Sequence, residues 1–200
     1  MASYGVFFIP DKNLVEEINS LKNYFNLKSS KNKYIKHPVH TSFYVFNAEK
    51  EKEIKIINSF SSLNSKLKPV ICKFDKWGIF ENDFLADGLN TLYLAIEKKT
   101  NLFEIQKKVV EELSKFHLKE STYFNFGKDF MISKEKYGYP FVGNHWIPHI
   151  TIGGLDIKPQ EINKLINRFE LSHDRILVNS LNLYLIEKDE HHLIKKIDFE

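Results

Sequence analysis

Two short stretches of this chain are built alike. His40-Thr41-Ser42-Phe43 and His149-Ile150-Thr151-Ile152 each run histidine, spacer, small hydroxyl residue, apolar residue. Side chains alternate across an extended strand, so positions i and i+2 share a face. Each stretch therefore sets an imidazole beside a hydroxyl, with Phe43 or Ile152 on the opposite face. Two such pairs brought together supply a proton acceptor, a proton donor and two hydrogen-bond donors. That is the equipment of a metal-free phosphodiester reaction. Tyr44, two residues beyond Ser42, continues the alternation and is a further candidate for substrate contact.

The elements that must position these residues follow from hydrophobic spacing. Helical stripes run through Leu14, Val15, Ile18, Leu21 and Phe25, through Ile54, Ile57 and Phe60, and through Leu102, Ile105, Val109, Leu113 and Phe116. A fourth, opened by Pro159, runs through Ile162, Leu165, Ile166 and Phe169. Strand patterns cover Tyr4 to Ile9, His40 to Phe46, Val70 to Phe80, Thr91 to Glu97, His149 to Gly153, Ile176 to Ile186 and His192 to Phe199. The order strand, helix, motif strand, helix, strand occurs twice, with the histidine motif in the same slot each time. One His-x-Ser/Thr match is expected by chance, but two matches in equivalent slots of a repeat are not. Two lobes related by a pseudo-twofold would bring both motifs to a shared cleft.

Composition sets the outer limits. A chain of 200 residues with 42% hydrophobic and 14% aromatic content can build a packed core. Its net charge of +3 neither demands nor excludes a nucleic-acid partner. The single cysteine, Cys72, rules out an internal disulfide framework and fits a reducing compartment. No apolar run approaches the roughly 18 residues of a spanning helix, and Met1 to Pro10 turns polar too soon for a signal peptide. A cytoplasmic monomer without a membrane partner is expected. His145 and His149 are four apart, but Pro148 between them disfavours a helical zinc pair, so neither metal nor cofactor is expected.

The paired motifs resemble the His-x-Thr/Ser-hydrophobic signatures of the two-histidine (2H) phosphoesterase superfamily. Within it, the layout is most similar to the 2′-5′ RNA ligase-like proteins and cyclic phosphodiesterases. The likeness runs from Ser3-Tyr4-Gly5-Val6-Phe7-Phe8 to the last strand. It implies an α+β fold of two intertwined lobes forming one domain over residues 1–200, each lobe with a concave antiparallel sheet, helices outside and a central cleft. It implies catalytic roles for His40 and His149 and phosphate contacts for Ser42 and Thr151. Two features depart from the pattern. The first motif has Ser where Thr is commoner, which keeps the hydroxyl but frees its rotamer. The stretch 119–146 is long, rich in Tyr, Phe and Gly, and suits an insertion that forms a lid or a substrate wall. The expected activity is metal-independent hydrolysis of a 2′,3′-cyclic phosphate or 2′-5′ linkage in a nucleotide or RNA end. Ligation by the same pair run in reverse, cleavage of cyclic oligonucleotides, and nucleotide or RNA binding without turnover are the alternatives.

Overall fold

A computed structural model describes residues 1–118, 127–188 and 190–200. In chain order its first half comprises β1 (Ala2–Phe8), α1 (Lys12–Asn26), β2 (Asn32–Lys33), β3 (Thr41–Ala48), α2 (Glu53–Ser61) and β4 (Val70–Asp83). The second half comprises β5 (Leu89–Ile96), α3 (Thr100–Leu113), α4 (Lys128–Tyr137), β6 (His149–Leu155), α5 (Pro159–Ile166), β7 (Arg175–Val178), β8 (Ser180–Glu187) and β9 (Glu190–Asp198).

All strand pairs are antiparallel and form two sheets, β3-β1-β8-β9 and β2-β6-β5-β4-β7. The four strands of the first sheet match β6-β5-β4-β7 of the other, with β2 added outside β6. The repeat expected from sequence is therefore present, but its lobes exchange strands. β4, the last strand of the first repeat, joins β5, and β8 of the second repeat joins β1. Each half of the chain completes the other half's sheet, so neither half has a finished sheet alone.

The helices are exchanged too. The side chain of Asp11 caps α1, accepting from the backbone N–H groups of Asn13 and Leu14 at 3.0 and 3.1 Å. Leu14, Ile18, Leu21 and Phe25 then bury one face of that helix, which packs on β6 of the opposite repeat. Each such side chain, once fully buried, contributes about 1.5–3 kcal/mol. α3 packs against α2 and β3, and α5 against β4.

Two expectations change. The single strand expected over 176–186 breaks at Asn179, and its parts enter different sheets as β7 and β8. In α2 the inward positions are Ile56 and Phe60, one helical turn apart, while Ile54 is 73% exposed. The expected insertion lies partly outside the described residues. Its described part carries α4, whose last turn closes on Gly138 in the left-handed conformation at φ 72°.

Candidate active site

Both motifs stand in the same local structure. His40, Ser42, His149 and Thr151 are half-buried, while Thr41, Phe43, Ile150 and Ile152 are buried. The expected alternation holds over each four-residue motif, and then both strands slip by one residue. In β3, Phe7 of β1 pairs with Ser42 and Val6 with Tyr44, leaving Phe43 as the extra residue of a β-bulge. In β6, Tyr93 of β5 pairs with Thr151 and Leu92 with Gly153, leaving Ile152 as the extra residue. A bulge re-aims the side chains that follow it. Tyr44 is thereby turned off the His40–Ser42 face into the core. It is 0% exposed, its ring stacks on Phe46 at 4.8 Å, and its hydroxyl donates to the Tyr137 carbonyl. Substrate contact by Tyr44, expected from alternation alone, does not fit this placement.

The imidazoles are held alike. His40 Nδ1 lies 2.7 Å from the Pro38 carbonyl, and His149 Nδ1 lies 2.6 Å from the Ile147 carbonyl. A carbonyl only accepts, so each Nδ1 carries the proton. In the neutral ring each Nε2 is then a proton acceptor. Each ring also rests on aromatic side chains. Phe7 is 4.2 Å from His40 between centroids, and Tyr93 and Phe80 are 5.1 and 5.4 Å from His149. The tips of the Phe7 and Tyr93 rings press close to glycines. A Cβ on Gly5 would fall 2.2 Å from the Phe7 ring, and one on Gly78 would fall 2.3 Å from the Tyr93 ring.

The segment that enters the second motif is tied by a side chain to the backbone of the first. Trp146, three residues before His149, is 2% exposed and donates its indole N–H to the Ser42 carbonyl at 2.9 Å. Its ring packs on Phe43 and Phe103 at 5.0 and 5.3 Å. The strands β3 and β6, members of different sheets, thus come into contact at their motif ends.

The surroundings of the two histidines differ in charge. Burial pushes His40 down to about 3; the Pro38 carbonyl works against this, and His191, Lys22 and His37 add to it. Burial also lowers His149, but there the Ile147 carbonyl and the carboxylate of Asp83 both favour the proton. Asp83 is fixed by the Thr91 hydroxyl at 2.6 Å and the Leu85 backbone N–H at 3.0 Å. Both histidines thus bind a proton less readily when folded than in the unfolded chain, where the value is about 6.5. The unfolded state takes up protons first as the pH falls, so stability is lost from about pH 6.5 down toward about 3. Thermal melts across that window should show Tm falling in the wild type and falling less steeply in His40→Ala. Parallel slopes would contradict the assigned environment of His40.

Sequence reasoning did not single out Phe7, Phe80, Tyr93, Tyr184, Lys22 or Asp83 for the site. Their places depend on strand pairing, for which one strand's pattern carries no signal. The rings of His37 and His191 lie 4.9 Å apart, with His191 at 5.8 Å from His40. Tyr184 and Asn182 of β8 border an open cavity of about 640 Å³, and the Tyr184 ring lies 5.5 Å from Phe7. Among the described residues no group of three His, Cys, Asp or Glu side chains is arranged to hold a metal ion, and no helix is long and apolar enough to cross a membrane.

Two strand-exchanged antiparallel sheets, each presenting a His-x-Ser/Thr motif, are the features of a two-histidine phosphoesterase. The model of the 2′-5′ RNA ligase superfamily matches residues 10–190, and the chain belongs to that family. No curated protein sequence matches it. The crystal structure of TT0787 of Thermus thermophilus is similar over 100% of this chain and 98% of that one, with a TM-score of 0.63 and 13% identity. Escherichia coli LigT complexed with 3′-AMP is similar over 99% and 97%, with a TM-score of 0.56 and 10% identity. Kluyveromyces marxianus Usb1 is similar over 99% and 98%, with a TM-score of 0.50 and 12% identity. At such identities the likeness to these structures establishes the fold alone.

Proposed function

We propose that this protein is a metal-independent phosphodiesterase that opens a 2′,3′-cyclic phosphate or cleaves a 2′-5′ linkage at the end of a nucleotide or RNA. The observation that carries this reading is the matched pair of motifs. Each has the same bulge, the same Nδ1-to-carbonyl bond and the same half-buried hydroxyl, in a chain of the 2′-5′ RNA ligase superfamily.

For a cyclic phosphate, the neutral Nε2 of His40 takes a proton from water as the water oxygen attacks phosphorus. The bond from phosphorus to one ribose oxygen breaks, and the protonated Nε2 of His149 gives its proton to that oxygen. The charge environment supports this division. The cationic surroundings of His40 favour its neutral form, and Asp83 favours the protonated form of His149. An arriving phosphodiester anion raises the proton affinity of His149, against the burial that lowers it. Ser42 and Thr151 donate to the non-bridging oxygens, where charge builds in the transition state. LigT complexes with 3′-AMP and with NADP+ support a nucleotide ligand here.

The test is incubation with EDTA present against 2′,3′-cyclic mononucleotides, 2′-5′ oligoadenylates, cyclic dinucleotides and RNA ending in a cyclic phosphate. The expected product is one water heavier than a cyclic substrate, formed at the same rate with and without chelator. Joined products would reassign the protein as a ligase. Turnover only after metal is restored would overturn the two-histidine mechanism. Binding without any product would make it a nucleotide-binding module.

A further inference from the structure

Lys22 lies within α1 and is 2% exposed, so water does not solvate its ammonium. Among the described residues no carboxylate pairs with it. Its Nζ instead donates to two backbone carbonyls, Tyr34 at 3.1 Å and His37 at 2.7 Å. Those carbonyls belong to one turn, closed by the His37 N–H donating to the Tyr34 carbonyl at 3.1 Å. Tyr34 holds a left-handed φ of 66°, a conformation that disfavours a side chain with a Cβ. From this turn the chain passes through Pro38, whose φ is fixed by its ring, and buried Val39 to His40. The Pro38 carbonyl is itself the partner of His40 Nδ1. Clamp, turn, proline and imidazole form one short connected path.

The helix carrying Lys22 packs on β6, the strand that begins with His149. A clamp from this helix to the turn before His40 therefore ties the support of one motif to the entry of the other. An uncompensated buried ammonium is costly, and nothing in the packing of α1 alone requires a lysine at this position. The groups whose charge acts on His40 are Lys22 from α1, His37 from the turn and His191 from β9, and its ring packs on Phe7.

We infer that Lys22 is a positioning residue for His40: its buried ammonium fixes the turn that delivers this imidazole and places a positive charge beside it. The functional side of this inference rests on the proposed role of His40 as the base. Its physical side does not, because the imidazole can be observed directly. The low exposure that makes Lys22 costly also lowers its own proton affinity, to about 8. The charge beside His40 can therefore be removed by pH alone in the unmodified protein.

The experiment is a proton titration of the His40 ring by NMR, with its resonance assigned by loss in His40→Ala. In the wild type, the His40 signal should show an inflection near pH 8 that coincides with titration of the Lys22 ε-carbon. In Lys22→Met, that inflection should vanish and the His40 midpoint should rise by about half to one pH unit. Lys22→Arg, which keeps the charge, should preserve the wild-type midpoint. The acid limb of kcat/KM on a cyclic-phosphate substrate should move up with the midpoint in Lys22→Met. A purely structural lysine would lower Tm and leave the His40 titration unmoved, and that result would overturn the inference. Should Lys22→Met fail to fold, the wild-type inflection decides alone, and its absence overturns the inference. If the wild type turns over no phosphodiester, the proposed activity fails while the ring titrations still test the clamp.

Discussion

His40→Ala and His149→Ala should each lower kcat/KM on the substrate by about 10²- to 10⁴-fold, the range for loss of one proton-transfer group. The far-UV circular dichroism spectrum should be unchanged. Both rings are half-buried at the ends of strands whose inward neighbours, Val39, Thr41 and Ile150, carry the packing. Truncation therefore opens no sealed cavity. The double variant is the sharper measurement. Base and acid serve one displacement, so removing the second after the first should cost much less than the first removal did. If the two losses multiplied fully, the imidazoles would be independent contributors rather than partners on one phosphorus. If either single variant kept wild-type turnover, the acid/base pair would be wrong.

Periodicity was enough to locate the two motifs, because a histidine and a hydroxyl two apart on a strand share a face whatever the rest of the fold does. The repeat of element order then placed both motifs in equivalent slots, and the paired sheets have that symmetry. What spacing could not carry is where alternation stops. The bulges at Phe43 and Ile152 arise from pairing with β1 and β5, so Tyr44 leaves the motif face although the pattern of β3 alone keeps it there. The strand exchange was hidden for a similar reason. β4 and β8 have ordinary strand patterns, and nothing local says which sheet each will join. Asn179 between β7 and β8 marks the switch between sheets, but its single residue did not interrupt the apolar run enough to show it. Lys22 was invisible for a different reason. A lysine on an apolar helical stripe has the pattern of a solvated flank until the turn it clamps is placed in space.

Trp146→Ala should destabilise the fold by about 3–5 kcal/mol, the usual cost of removing a buried tryptophan side chain. Trp146→Phe separates the parts of that loss. It keeps most of the packing on Phe43 and Phe103 but deletes the N–H that the Ser42 carbonyl accepts. Leaving that carbonyl without its donor costs about 1–3 kcal/mol. Chemical denaturation should report both values, in that order. The more informative reading is catalytic. The Trp146 bond joins the backbone of one motif to the segment that enters the other, so it fixes the separation of the two imidazoles as well as stabilising the core. Misplacement of a reacting group by about 1 Å can cost roughly 10²-fold. Trp146→Phe, assayed under conditions where it is fully folded, should therefore lose more turnover than its stability deficit accounts for, and lose it in kcat. A fully folded Trp146→Phe protein with wild-type kcat would mean that the strand contact between β3 and β6 holds the motifs in register without the indole.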